Sequence, residues 1–314
     1  MKRSTPPPNS KKTTSSPKSL KGAAHHNALQ QVHLKANGLR ISGFSISGLS
    51  SYMQMPDLNL CFDMGECPLS AIGLNHIFLS HAHGDHSRCL LRHHSLRRMM
   101  NVHHDAFYYL PEEIHKDALN WIRYEAIFQG VNPEKVEFPK IFPVKPGEWH
   151  AFAHRPDLVF KGFHVKHSIP SMGFTVALHK KKLKDEYLKL NRDEIIALRK
   201  EGLEITREVY ENQVSYIGDC TGESLLEQSH IWESPVVILE CTFIDDDEEE
   251  MARLRQHTHL QEIIRAYKKH QNNNFEQTIV LKHFSMKYGR KYIIEKVKKE
   301  LEKENLTDKF KIFL

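Results

Sequence analysis

Residues 81–86 read His-Ala-His-Gly-Asp-His, and they follow directly on the apolar run Asn75-His76-Ile77-Phe78-Leu79-Ser80. The run predicts a buried strand, so four side chains able to hold a metal stand within six residues at its end. In an extended segment residues two apart point the same way. His81 and His83 therefore share one side, while Asp85 and His86 lie round the corner, where they can face a second ion. Neutral imidazole and carboxylate oxygen are the donors that suit zinc in a catalytic site.

One loop cannot close two coordination shells, so further ligands must come from distant segments. Three candidates each sit at the end of a predicted strand: His167 after Phe163–Val165, Asp219 after Ser215–Gly218, and His283 after Ile279–Lys282. A lone histidine at a strand end is usually just hydrogen-bonded, so these residues gain meaning only as a set. A carboxylate such as Asp219 can bridge two ions, with a bridging water as nucleophile.

The chain has 314 residues, 40% hydrophobic and 26% charged, enough to bury a sizeable core. No apolar run reaches the length of about 18 residues that a membrane helix needs, and the first residues lack the apolar stretch of a secretory signal. Five scattered cysteines point to a reducing compartment, with the cytoplasm as the expected address. Cys61 and Cys67 read as ordinary buried thiols. The net charge of +5 suits a nucleic-acid partner.

Residues 1–30, rich in Lys, Ser, Thr and Pro, are expected to form a disordered basic tail. Residues 31–314 are expected to form one hydrolase domain. Leu39-Ile41, Phe44-Ile46 and Leu58-Phe62 read as short strands, and several more are expected between about 134 and 179. Val214-Gly218, Val236-Glu240, Thr278-Leu281 and Lys309-Leu314 read likewise. Helices are expected near Arg88–Met99 and over 111–126, 181–202, 248–270 and 287–303, with Gly202 as a stop. Strand blocks alternating with surface helices predict an α/β architecture of sheets between helical layers.

Further motifs lie downstream: Glu240-Cys241-Thr242-Phe243, His257-Thr258-His259, and His283-Phe284-Ser285-Met286-Lys287-Tyr288. With the His81–His86 run, His167-Ser168-Ile169-Pro170-Ser171-Met172-Gly173, and Lys184-Asp185-Glu186-Tyr187 through Gly202-Leu203-Glu204-Ile205-Thr206, they resemble the tRNase Z family of the metallo-β-lactamase superfamily. The resemblance runs over about residues 36–300 and is strongest to the short plant form.

It implies an αβ/βα sandwich of two mixed sheets flanked by helices. It implies two Zn2+ per chain, or Mn2+ or another divalent ion, on His81, His83, Asp85, His86, His167, Asp219 and His283. Asp63 would stand behind a ligand and orient it. The implied reaction is removal of the 3′ trailer of precursor tRNA by dimetal-activated hydroxide attack. Asp85 would orient the water, and His257, charged by Glu240, would protonate the leaving oxygen; His259 competes for that role. A homodimer is also implied, and no membrane partner.

Three departures stand out. Ser87-Arg88-Cys89-Leu90 replaces the usual Gly-Leu continuation, Cys220 follows Gly218-Asp219 where the family has Thr, and Lys287 replaces Arg. No long Gly-Pro-rich tRNA-gripping arm is visible. Lys180-Lys181-Lys182-Leu183-Lys184 with Arg192, Arg199 and Lys200 offers either a short arm or a solvated helical face. Two other functions stay open: a hydrolase of a small substrate (cyclic nucleotide, lactone or thioester) and a catalytically idle RNA-binding scaffold.

Overall fold

A computed structural model describes residues 30–271 and 275–314. The basic tail expected over residues 1–30 lies, apart from Gln30, outside them. The first sheet runs in chain order through β1 (Val32–Ala36), β2 (Leu39–Ser47), β3 (Ser50–Met55), β4 (Leu60–Phe62), β5 (His76–Phe78), β6 (Phe107–Pro111) and β7 (Lys140–Val144). The second is built from β8 (Trp149–Phe152), β9 (Arg155–Val165), β10 (Ser171–Leu183), β11 (Thr206–Tyr216), β12 (Val236–Glu240) and β13 (Thr278–Lys282). The short β14 (Phe284–Ser285) crosses to pair with β2, and β15 (Phe310–Ile312) closes the second sheet beside β13. Each sheet begins antiparallel and turns parallel, from β4 to β7 in the first and from β11 onward in the second.

Eight helices are found among the described residues: α1 (Gly84–Ser87), α2 (Leu90–Met99), α3 (Glu112–Phe128), α4 (Arg192–Lys200), α5 (Gly222–Glu227), α6 (Glu249–Arg255), α7 (Leu260–His270) and α8 (Arg290–Lys303). Alternation along the central strands explains the layering. Phe62, Phe78, Tyr109, Phe174, Tyr216, Ile238 and Val280 turn inward and form the core between the sheets. Their neighbours Cys61, Ile77 and Tyr108 face the other way and pack with Leu90 and Ile122 of α2 and α3. Val237, Leu239, Ile279 and Leu281 do the same against Ile263 and Tyr267 of α7 and Val297 and Leu301 of α8. Parallel strands apolar on both faces must be covered on both faces, and the result is the expected αβ/βα sandwich. None of the described helices is long and apolar enough to cross a membrane.

Several boundaries differ from the sequence reading. The runs 39–41 and 44–46 are one strand, because Gly43 serves close approach and does not break it: a Cβ there would lie 2.1 Å from the Tyr52 carbonyl oxygen. The helix expected over 181–202 is only Arg192–Lys200, since β10 continues to Leu183 and pairs with β11 back to Thr206. Lys181 meets Glu208 at 3.1 Å, and Lys180 and Lys182 meet Glu211 at 2.5 and 2.6 Å. Lys180, Lys181 and Lys182 are therefore strand residues matched by carboxylates across the ladder, while Arg192, Arg199 and Lys200 lie on the helix α4. The helix expected over 248–270 is two helices, α6 and α7, with His257-Thr258-His259 between them.

Candidate metal centre

Ligands of open α/β sheets gather beyond the carboxyl ends of the strands. Asp63 follows β4, the His81–His86 loop follows β5, His167 follows β9, Asp219 follows β11, Glu240 ends β12, and His283 follows β13. The sandwich thus brings all these strand ends to one edge.

Their side chains converge in two groups. In the first, His81 Nε2 lies 3.1 Å from His83 Nδ1, which lies 3.3 Å from His167 Nε2. In the second, His86 Nε2 lies 3.1 Å from His283 Nε2, and Asp85 Oδ2 lies 3.4 Å from His283 Nε2 and 3.7 Å from His86 Nε2. Asp219 joins the groups: its Oδ2 is 3.3 Å from His86 Nε2, 3.4 Å from His283 Nε2 and 3.8 Å from His81 Nε2. Donor atoms on a zinc tetrahedron with bonds of about 2.0–2.1 Å stand about 3.3 Å apart, and these separations match that. Asp219 Oδ1 is buried without a hydrogen-bond partner. A bare buried carboxylate oxygen is costly unless a cation meets it. The residues fit bound metal.

The opposite side of nearly every ring is held. His86 Nδ1 donates to Asp63 Oδ2 at 2.7 Å, and Asp63 Oδ1 accepts from the Ser80 amide at 2.8 Å and hydroxyl at 2.9 Å. The Tyr216 hydroxyl also donates to Asp63, so this fully buried carboxylate ties both sheets to one imidazole. His81 Nδ1 lies 2.9 Å from Ser80 Oγ, His167 Nδ1 donates to the Gln256 carbonyl at 2.8 Å, and His283 Nδ1 lies 3.2 Å from Thr242 Oγ1. Asp85 Oδ2 accepts from the Gly48 amide at 2.8 Å. Such outer contacts fix the ring and the tautomer.

Backbone geometry is spent here too. Asp63, Gln256 and His283 have φ of 60°, 56° and 62°. Non-glycine residues rarely adopt this left-handed region, and they cluster where surrounding structure imposes it. Gly65 lets the loop pass: a Cβ there would lie 1.8 Å from the Asp85 carbonyl oxygen.

Electrostatics follow the geometry. Burial pushes His81, His83 and His283 down, which leaves their lone pairs free. Burial acts against a charge on His86 as well, yet Asp219 and Asp63 raise it to about 10. Asp63 keeps the proton on Nδ1, and the charge of Asp219 beside Nε2 would equally favour a metal cation there. Asp85 and Asp219 are held down despite burial, by the histidines around them.

Beside the cluster, Glu240 is fully buried. Its Oε1 accepts from His257 Nδ1 at 2.9 Å and from the Cys220 amide at 3.1 Å; its Oε2 accepts from the Thr242 hydroxyl at 2.6 Å and amide at 3.1 Å. Burial disfavours a charge on either partner, but their mutual attraction lowers Glu240 and raises His257 to about 9. His257 Nδ1 also lies 3.8 Å from Asp219 Oδ2, a longer contact than its bond to Glu240. His259 is occupied elsewhere. Its Nδ1 accepts from the Gln261 amide at 3.1 Å to cap α7, and its Nε2 donates to the Asp245 carbonyl at 2.9 Å. Cys61 and Cys67 are buried free thiols outside both groups.

The structure thus brings together His81, His83, Asp85, His86, His167, Asp219 and His283, with Asp63, Glu240 and His257 against them. Sequence reasoning missed Ser80, Thr242, the Gln256 carbonyl and the Gly48 amide. Of these only Thr242 carried a signal, as the third residue of the Glu-Cys-Thr-Phe motif.

No family model matches the chain. Among curated relatives, tRNase Z TRZ1 of Arabidopsis thaliana is 31% identical over 267 residues, 84% of this chain and 91% of that protein. The chloroplastic tRNase Z TRZ2 of the same plant is 29% identical over 275 residues, 87% of this chain and 75% of the relative. Among solved structures, the metallo-β-lactamase fold protein YhfI from Bacillus subtilis superposes with a TM-score of 0.51 at 15% identity, over 82% of this chain and 90% of that one, which speaks for the fold alone. The chain belongs to the tRNase Z family of metal-dependent endoribonucleases, carried on a metallo-β-lactamase fold.

Proposed function

We propose that this protein removes the 3′ trailer of precursor tRNA by hydrolysing one phosphodiester bond, using two Zn2+ ions. The observation that carries the reading is the bond from His257 to the buried Glu240, beside a cluster of metal donors that extends to His257 through Asp219 and His283, in a chain whose relatives are named tRNase Z. His81, His83 and His167 would hold one ion, Asp85, His86 and His283 the other, and Asp219 would lie between them. When bound, the ions supply a water of lowered pKa and neutralise the charge of the scissile phosphate.

The protein's own groups do the rest. Asp85, fixed by the Gly48 amide, orients the attacking water and accepts its proton. As water oxygen bonds to phosphorus, the bond to the ribose 3′ oxygen breaks and its electron pair stays on that oxygen. His257 delivers the proton that neutralises it. Glu240 occupies His257 Nδ1, which directs Nε2 to the substrate and keeps the ring charged at neutral pH. His259, with both nitrogens engaged in the fold, is left without this role. The buried free thiols fit a reducing compartment, and the cytoplasm and a homodimer are part of the same proposal. So is the division into a basic tail and one hydrolase domain.

The test is incubation of zinc-loaded protein with a 3′-extended precursor tRNA, and with bis-p-nitrophenyl phosphate in parallel. Cleavage after the discriminator base, lost on chelation, is expected. Turnover of the small diester alone would move the function to a small-substrate phosphodiesterase.

A further inference from the structure

Next to the metal loops lies a cavity of about 440 Å³ that the chemistry above does not use. Its walls are mostly apolar, with Arg88, next after α1, and Asp117 of α3 as the charged side chains among them. Ala82, between two metal-donor histidines, and Ile169 and Pro170, just after His167, form the side toward the metal centre. Ile114, Ala118 and Trp121 form the other. Spaced four and three residues apart on α3, they share one helix face, and each is only partly buried. The volume lies within the range of small-ligand sites, roughly 300–1,000 Å³, and exceeds what one planar ring needs. A mostly apolar slot with an indole in its wall suits a flat aromatic group held by stacking.

We infer that this cavity receives one unpaired base of the RNA substrate, attached to a nucleotide that flanks the scissile phosphate, and that Trp121 stacks on it. This inference rests on the endoribonuclease reading above. Contiguity selects the occupant: the loops that would place the phosphate also form the cavity wall, so the base of an adjoining nucleotide is the flat group that substrate binding brings to it. Stacking tolerates any base, because every base has a π face. Such a contact holds the strand through the cleavage site without reading its sequence. The single-stranded 3′ end of a precursor tRNA offers such bases, whereas a paired duplex does not.

The experiment compares three 3′-extended precursor tRNAs with wild-type protein and with Trp121→Ala: one unmodified, one abasic immediately 5′ of the scissile phosphate, and one abasic immediately 3′ of it. With wild-type protein, one of the two abasic substrates should lose on the order of tenfold in kcat/KM. Trp121→Ala should lose a similar factor on the unmodified substrate, and the penalty for that abasic site should then vanish. Ala118→Phe, which fills the cavity without emptying the core, should abolish the same penalty and guards against misfolding of the first variant. Penalties at both positions that persist in both variants, or no penalty at either position, would overturn the inference. Failure of wild-type protein to cut any of the RNAs, with bis-p-nitrophenyl phosphate still hydrolysed, would overturn the proposed function and this inference with it.

Discussion

Glu240 Oε1 accepts a hydrogen bond of 2.9 Å from His257 Nδ1, with the carboxylate fully buried and the imidazole only partly so. The pair joins the floor of the site to its mouth. Burial opposes charge on His257, and Glu240 overrides it to raise the ring to about 9. A folded pKa above the ordinary histidine value of about 6.5 means the imidazolium is favoured by folding. That contribution is fully present below about 6.5 and is lost as pH rises through about 9. If His257 is the proton donor, kcat should fall over the same alkaline range. Glu240→Gln should move this limb to lower pH, toward the ordinary histidine value, and a limb that stays in place would assign it to another group.

His257→Ala should slow RNA cleavage by about 10²–10⁴-fold, the usual contribution of a general acid, while the protein keeps its metal. Metal analysis of the purified variant decides the matter. Loss of metal would make His257 a ligand, together with Asp219 and His283.

His259→Ala probes the alternative donor. It removes the cap of α7, so unfolding in urea should show a loss of about 0.5–2 kcal/mol. Cleavage by the folded variant should stay within a few-fold of wild type. A loss as deep as that of His257→Ala would reverse the assignment.

Asp63→Ala tests the support behind the donors. The carboxylate holds His86, Ser80 and Tyr216 together. Its removal should weaken metal binding about 10–100-fold by titration calorimetry, the usual effect of losing such a partner. Unchanged affinity would reduce Asp63 to a structural contact between the sheets.

Phe78→Ala addresses the core that aligns the two sheets. Phe78 is fully buried and its ring lies 4.7 Å from Tyr109, 4.9 Å from Phe160 and 5.1 Å from Phe174. Emptying that position should cost about 3–5 kcal/mol in denaturant unfolding. A cost below about 1 kcal/mol would mean that the sheets close over the gap.

How much of this was legible in the sequence depended on range. The His81–His86 run was legible because its spacing is local and a strand precedes it. His167, Asp219 and His283 were legible because apolar runs mark strand ends, and the sandwich gathers those ends at one edge. The supports were not. The Gly48 amide and the Gln256 carbonyl are backbone groups, and no residue type announces them. The stretch Lys180–Lys184 misled because dense charge has no hydrophobic period. Its partners Glu208 and Glu211 lie far along the chain, and cross-strand pairing made it a strand. His257 was preferred to His259 by resemblance alone; what separates them physically is that one meets Glu240 and the other caps a helix.

The most direct test strips the protein of metal and follows cleavage of a 3′-extended precursor tRNA while zinc is added back. Activity should be absent at first, rise with zinc and level off near two equivalents per chain, with Asp219→Ala unable to reach the plateau. Activity that survives stripping, or saturates at one equivalent, would contradict a two-ion centre.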